Sequence, residues 1–339
     1  MTTIKSRLKR NWLYLFLGTV FTVVLLSWAL KDVSWIAVWG ALQSAQIEWL
    51  FLGWVAYLSS YWVRALRWGH LLAVHCQPGR FKIRLAAIFI GFGANSILPA
   101  QLGEFIRLAV LHKSDKVPFA AALGSIFVER LLDIGVVFLL LLIPLGIGAL
   151  PKHSGLNSFA LGWFAVALVM VWFILLIAAS FPEPMARFVG NMSKKIGLGR
   201  FKLSLEASVV KFLGALSALR SPQVSLIALI ETICIWGLNA VTYWTGLMAF
   251  KMSVPGFLGA LFIQSSTALA IALPSTPGYI GSFEAGIRFA LSIYSTPIHI
   301  IIAYAIAMRF LMCVTIPIIG FAIAARLSLS LSDLTSKAN

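Results

Sequence analysis

Several ionisable residues stand inside stretches that are otherwise apolar: Glu104 and Arg107; Glu129, Arg130 and Asp133; Glu284 and Arg288; and Arg309. Glu104 and Arg107 are three apart, and Glu284 and Arg288 are four apart, so on a helix each glutamate sits one turn from its arginine and the pair can neutralise itself. An ionised group at the centre of a bilayer helix costs at least ~2.5 to 3.5 kcal/mol on insertion scales, so such residues face one another or a watery cavity. A pair of this kind is either a clip that holds two segments together or part of a site that receives a charged group. In the third cluster Glu129 and Asp133 share a helix face and Arg130 is three from Asp133. Two carboxylates against one arginine leave a surplus negative charge or a shared proton, and pairing with Arg107 or Arg309 is the simpler account. Arg309 lies midway along the last apolar segment and needs an interior partner, whereas Glu231 is near enough to a segment end to reach the interface.

These charges flank two interruptions. The first reads Leu98-Pro99-Ala100-Gln101-Leu102-Gly103-Glu104, with Arg107 after it; the second reads Leu273-Pro274, then Pro277-Gly278-Tyr279-Ile280-Gly281-Ser282-Phe283-Glu284, with Arg288 after it. Each is Leu-Pro, glycine, glutamate, arginine, and the motifs start 175 residues apart, about half the chain. Helix starts just after Pro99 and Pro277 would offer free N–H groups that attract anions. Inverted repeats with broken helices meeting near the membrane midplane are a transporter signature.

The elements that must position these residues follow from composition. Of 339 residues 60% are hydrophobic and 11% charged, against ~25% charged in a soluble globular domain, which excludes a soluble enzyme. The net charge of +16 does not point to nucleic acid, because that needs basic residues gathered on a soluble face. Apolar stretches cover 12–30, 47–63, 85–98, 118–150, 158–181, 222–250, 256–275, 277–295 and 297–325. Lys5, Arg7, Lys9 and Arg10 before the first make it an uncleaved span. Placing residues 1–11, 64–84, 113–117, 182–221 and 326–339 inside puts 20 of the 27 Lys and Arg there and leaves Lys31, Lys152 and Lys251 outside, as the positive-inside rule requires. Parity then makes 85–112 and 256–295 re-entrant hairpins from opposite faces.

The expected fold is therefore an all-α polytopic membrane protein forming a single integral membrane domain over 1–339. It has six full spans (12–30, 47–63, 118–150, 158–181, 222–250 and 297–325), two re-entrant broken-helix hairpins, an inverted repeat, and cytoplasmic N- and C-termini. Residues 182–221 form a cytoplasmic segment, amphipathic over 200–220, held against anionic lipid. Eight of the twelve tryptophans precede residue 69, mostly near segment ends, as interfacial anchors do. Cys76, Cys234 and Cys313 share no pairing pattern, the histidines make no cluster, and no hydrolase, zincin or P-loop motif occurs. No metal, cofactor or catalytic residue is expected.

Taken together, the chain resembles the lysylphosphatidylglycerol synthase transmembrane-region family of flippase-like membrane proteins, from about Arg64 to Phe321. The resemblance rests on Arg64-Ala65-Leu66-Arg67-Trp68, on Asn95 with Pro99, Gly103, Glu104 and Arg107, on Glu129-Arg130 with Asp133, and on Pro274, Pro277, Gly278, Gly281 and Glu284. It implies lipid translocation or handling, and that the matching residues line a central site. Gln101 stands where a basic residue is expected, and the soluble aminoacyl-transferring domain of larger relatives is missing, so the synthase activity is not carried over.

The expected function is a lipid translocase of the plasma (inner) membrane, acting on a phospholipid or lipid-linked headgroup, anionic in character. Its transport site comprises Asn95, Pro99, Gly103, Glu104, Arg107, Glu129, Arg130, Asp133, Pro277, Gly278, Gly281, Glu284, Arg288 and Arg309. Partners are membrane lipids, with a homo-oligomer or a lipid-synthesis partner left open, and no nucleic acid. Two alternatives remain: an ion- or proton-coupled transporter of a small polar solute, and an intramembrane lipid-modifying enzyme. A side opening between helices favours lipid; a sealed cavity favours solute. The charge distribution makes a direct prediction: single cysteines at Lys152 and Lys251 react with an impermeant thiol reagent from outside, and those at Lys82 and Lys195 do not. External labelling at Lys195 overturns the topology.

Overall fold

A computed structural model describes residues 23–98, 101–148, single positions between 160 and 192, 221–254, 256–272 and 277–327. Among the described residues there is no strand. Helix α1 is Trp35–Gln43, α2 Ile47–Ala73, α3 Phe81–Asn95, α4 Gly103–Asp115 and α5 Phe119–Gly146. Then come α6 Pro222–Ala249, α7 Gly256–Ala272, α8 Ser282–Ser292, α9 Ile298–Arg309 and α10 Thr315–Arg326, the last two joined by a π turn, Phe310–Val314. Residues 23–29 are also helical. Prolines start the long helices where a missing N–H does no harm: Pro118 and Pro297 at the caps of α5 and α9, and Pro222 in the first turn of α6. Lys116, with φ of 57°, ends α4 in the left-handed region.

The fold is all-helical as expected. Two helices combine membrane length with strong apolarity, Pro222–Ala249 and Ile298–Arg326, of 28 and 29 residues, each reaching ~40 Å against a ~30 Å hydrocarbon core. Helices α2 and α5 match them in length, 27 and 28 residues, but carry charges in their interiors. Large apolar side chains such as Phe51, Trp62, Phe105, Ile230, Phe310 and Ile318 are exposed, as on a lipid-facing surface.

Several boundaries move. The second expected span does not stop at 63 but runs to Ala73, taking Arg64 and Arg67 out of the supposed cytoplasmic loop and burying them. Arg84 of the same stretch is also buried, bonded to the carbonyls of Ala65, Pro78 and Gly79. Only Arg80 and Lys82 of that set keep exposed positions. Within the expected 158–181 span each described position but Phe181 is helical; most of 12–30 and of the 182–221 segment, and Pro99, lie outside the described residues. Helix α1 was not expected.

Both interruptions are real helix–break–helix hairpins, α3–α4 and α7–α8. Glycine lets their arms touch at backbone distance: a Cβ at Gly91 would stand 2.8 Å from the Gly103 oxygen, and one at Gly286 would stand 2.8 Å from Thr267 Cα. Gly103 itself packs on the Gly91 oxygen, and its N–H donates to Asn95 Oδ1 at 2.7 Å, closing the neck of the first hairpin. The true register between the two breaks is 178, not 175: Pro99 matches Pro277, Gln101 matches Tyr279 and Gly103 matches Gly281. Gln101 and Tyr279 both adopt φ of 56°, a left-handed conformation that costs a side-chain-bearing residue ~1 to 2 kcal/mol.

The order long helix, hairpin, long helix thus occurs twice, as α2, α3–α4, α5 and as α6, α7–α8, α9–α10. Packing respects the equivalence: α2 lies on α6, and α3 lies on α10 as α7 lies on α5. The equivalent helices α2 and α6 run antiparallel. Gln46 N–H donates to Ala249 O, Thr242 Oγ1 to Gly53 O, and Arg67 to Thr232 Oγ1, so positions rise on one helix as they fall on the other. An antiparallel pairing of the corresponding helices is what an inverted repeat would give. The hairpin tips meet, with Gly278 seated so that a Cβ would lie 3.0 Å from the Ser96 carbonyl oxygen. Gly103→Val is expected to cost at least ~1 to 3 kcal/mol, because the obstruction is backbone and cannot move aside; a lowered unfolding midpoint in detergent checks this, and an unchanged one contradicts the close crossing.

Candidate functional site

One face of α2 carries Tyr61, Arg64, Trp68 and Leu71, all buried at the three-to-four spacing of a helix. No Pro interrupts the helix, which runs on through Gly53 and Gly69, so the apolar packing of its neighbours carries the arginines inward. Arg67 donates to Asp133 Oδ1 of α5 at 2.7 Å and to Thr232 Oγ1 of α6 at 2.8 Å, and its Nε lies 3.8 Å from Glu129 Oε1. Asp133 also accepts from Trp236 Nε1 at 3.1 Å. Arg107 of α4 pairs with Glu104 at 2.7 Å and with Glu129 of α5, and lies 4.8 Å from the centre of the Trp68 ring. Arg130 of α5 stands 3.4 Å from Asp133 and 3.6 Å from Glu104.

Arg64 differs from these. It is only 8% exposed, its guanidinium lies over the rings of Phe92 and Tyr61 at 5.2 and 6.0 Å, and among the described residues it has no ion pair or hydrogen bond. It remains within charge–charge range of Asp133 and Arg130. Ring contacts of ~0.5 to 2 kcal/mol offset only part of the cost of holding a guanidinium away from water. The site thus combines Arg64, Arg67, Arg107 and Arg130 with Glu104, Glu129 and Asp133, one positive charge in excess.

The second hairpin has its own centre. Arg309 of α9 grips Glu284 of α8 through both carboxylate oxygens, one of them at 2.9 Å, and donates to the carbonyls of Gly278 at 2.8 Å and Tyr279 at 3.2 Å. Glu284 Oε2 also accepts from Gly281 N–H at 2.9 Å, so a single carboxylate caps α8 and anchors the tip. Arg130 and Arg309 occupy equivalent positions, each eleven residues into its helix. Each faces the glutamate of its own hairpin, loosely in the first half and tightly in the second.

The site residues expected from sequence divide accordingly. Glu104, Arg107, Glu129, Arg130 and Asp133 converge, and the expected pairing of Arg107 with the α5 carboxylates holds. Glu284 and Arg309 meet at the other tip with Gly278. The expected pair of Glu284 with Arg288 does not form: Glu284 reaches back to Gly281 at the start of its helix, while Arg288, one turn later, bonds the carbonyls of Trp28 and Lys31 and stacks 4.9 Å from the Trp28 ring. Nor does Arg309 join the α5 carboxylates. Asn95 and Gly103 serve the hairpin neck. The charge distribution alone puts Arg64 and Arg67 in a cytoplasmic loop, although the family resemblance, which rests partly on Arg64 and Arg67, implies that they line the central site; Thr232 and Trp236 were not singled out. Among the described residues no group of three His, Cys, Asp or Glu converges to hold a metal ion.

Beside Glu104 and Arg130 a cavity of about 210 Å³ lies between α4 and α5, lined by Gln101, Glu104, Phe105, Leu108, Leu123, Ile126, Phe127 and Arg130. Phe105 and Phe127 are 48% and 41% exposed, so the cavity has an apolar rim and ends on the charged Glu104 and Arg130.

A helical membrane protein, with broken helices meeting beside a buried charged site, is the class this architecture defines. The chain belongs to the family of the lysylphosphatidylglycerol synthase TM region, whose model matches residues 15–320. It is 22% identical over 223 residues to the UPF0104 membrane protein MJ1078 of Methanocaldococcus jannaschii, covering 64% of this chain and 88% of that one. It is 24% identical over 311 residues to the glycosyltransferase AglD of Haloferax volcanii, covering 83% of this chain and 49% of that one. A third similar protein, UPF0104 membrane protein MJ1595 of Methanocaldococcus jannaschii, is 19% identical over 175 residues, half of each chain.

The two arginines near Glu284 can be told apart by stability. Arg309→Gln leaves a half-buried carboxylate without its countercharge and is expected to cost up to ~3 to 5 kcal/mol. Arg288→Gln at the more exposed contact is expected to cost ~1 kcal/mol or less. Unfolding midpoints in detergent read the difference, and equal losses contradict the assignment of Glu284 to Arg309.

Proposed function

We propose that this protein is a lipid translocase, in which a phospholipid or lipid-linked headgroup enters sideways between α4 and α5 and passes the charged interior where the hairpin tips meet. The observation that carries this reading is the cavity between α4 and α5, apolar at Phe105 and Phe127 and polar at Glu104 and Arg130. A two-tailed amphiphile needs this arrangement, whereas a water-soluble substrate needs an entrance from the aqueous side. Membership of a membrane family supports the setting. Six spans with α3–α4 and α7–α8 as re-entrant hairpins, cytoplasmic termini and residence in the plasma membrane complete the proposal. The protein then acts by exchange of conformations and not by bond chemistry.

Inverted halves supply a route for that exchange. Equivalent contacts, Arg130 with Glu104 and Arg309 with Glu284, guard the two tips, and in this conformation one is loose at 3.6 Å while the other holds its carboxylate by both oxygens. Loosening the second while tightening the first would expose the same interior to the other leaflet. The test is liposome reconstitution with a fluorescent phospholipid and a membrane-impermeant quencher. Wild-type protein is expected to make inner-leaflet lipid accessible, and Glu104→Gln, which removes the countercharge at the cavity end, is expected to slow this at least about tenfold while remaining monodisperse. Protein-containing liposomes that protect inner-leaflet lipid as well as empty ones overturn the proposal; uptake of a polar solute in the same vesicles would instead support the solute transporter.

A further inference from the structure

We infer that Arg64 and Arg130 form a receptor for a phosphate ester, so that the lipid is recognised through its phosphate and not through an amine. The inference rests on the translocase reading for the source of the ligand, but its chemistry comes from the side chains themselves. Three carboxylates, Glu104, Glu129 and Asp133, are each already engaged by two arginines, and a fourth arginine, Arg64, is left over. The hydrogen-bonding inventory leans the same way. Among the described residues two buried guanidinium nitrogens of this cluster, Arg64 Nε and Arg130 Nε, have neither a hydrogen bond nor a carboxylate facing them, whereas Arg67 Nε, Arg107 Nε and Arg130 Nη2 each stand against a carboxylate. The carboxylate oxygens of this cluster that lack a hydrogen bond, Glu104 Oε2 and Glu129 Oε1, both face an arginine nitrogen, at 2.7 and 3.8 Å.

A site with spare donors and spare positive charge takes a ligand made of acceptors. A phosphate ester carries negative charge and several acceptor oxygens, and guanidinium forks match its geometry. An ammonium headgroup would bring more donors and more positive charge to a place that has a surplus of both. Arg64 is 8% exposed and held over aromatic rings, so its orientation is fixed before the ligand arrives. Arg130 lines the cavity beside Gln101 and Glu104, and Arg64, deeper in the same cluster, lies within charge–charge range of it.

The experiment uses the full chain in uncharged maltoside micelles, doped in turn with phosphatidylglycerol, diacylglycerol or soluble glycerol 3-phosphate, and reads the unfolding midpoint across a titration. Phosphatidylglycerol is expected to raise the midpoint and diacylglycerol to leave it unchanged. Arg64→Gln is expected to weaken the phosphatidylglycerol effect at least about tenfold, or about 1.4 kcal/mol, and Arg64→Lys less. In lipid-free micelles Arg64→Gln should be no less stable than wild type, since it removes a buried charge that lacks a partner. Equal effects of diacylglycerol and phosphatidylglycerol overturn the inference, as does an undiminished phosphatidylglycerol effect in Arg64→Gln. A loss of stability in lipid-free micelles as large as the loss with lipid makes Arg64 a packing residue and also overturns it. Glycerol 3-phosphate matching phosphatidylglycerol upholds the phosphate receptor but removes the lipid, and with it the translocase reading. Phosphatidylglycerol crossing in liposomes without phosphate-dependent binding does the reverse.

Discussion

Charge held away from water must be compensated, and this requirement organises the interior. Arg67 on α2, Arg107 on α4, and Glu129 and Asp133 on α5 join three helices, and the bond from Trp68 Nε1 to Ser125 Oγ ties α2 to α5 beside them. Thr232 and Trp236 add α6 to the same network. Small residues bring the backbones close, and the ion pairs then fix their register, because a slip of one turn would strand a guanidinium in hydrocarbon. Breaking such a network by removing one partner is costly. Among the described residues Arg64 has no counterion of its own, which leaves the network one negative charge short.

The two halves are related by contacts and not by obvious sequence identity. Antiparallel α2 and α6 form the central seam, and each hairpin leans its first arm on the last long helix of the opposite half. The left-handed Gln101 and Tyr279 mark the same bend twice. Strain repeated at equivalent positions is held in place by the surrounding packing, and here it lies where the tips touch. The carboxylates, by contrast, are used differently in the two halves: Asn95 closes the first neck, whereas Glu284 closes the second while also holding Arg309.

Much of this was legible from residue types. The helical class, the two broken hairpins and the convergence of Glu104, Arg107, Glu129, Arg130 and Asp133 follow from apolar length, proline and glycine placement, and helical spacing. The failures have a common physical cause, which is that local rules do not see packing. Arg64 and Arg67 look like loop residues because apolar windows end where charges begin, yet a helix continues through charges when its neighbours supply partners. Glu284 and Arg288 have the spacing of a helical pair, but Glu284 is spent on its own helix start, and its arginine comes from 25 positions away. Register between the halves could be set only once the matching left-handed residues were seen, since the leucine-proline pairs alone suggest a different offset.

The π turn at Phe310–Val314 carries a consequence for how the two halves differ. The last long helix of the first half has 28 residues and that of the second has 29, and a π turn closes with one residue more than an α turn. In a continuous α-helix one added residue would turn everything beyond it by about 100°, whereas a π turn takes the residue up within itself. The face of α10 that meets α3, where Pro317 packs on Gly93 and Gly320 on the backbone of Phe89, is thereby kept in place. The turn is held from α2 by the Tyr57 hydroxyl on Met312 O and by Trp54 on Thr315. A single surplus residue, stored as a bulge just after Arg309, thus lets the last helix be one residue longer without disturbing either its seat on α3 or the place Arg309 shares with its counterpart Arg130.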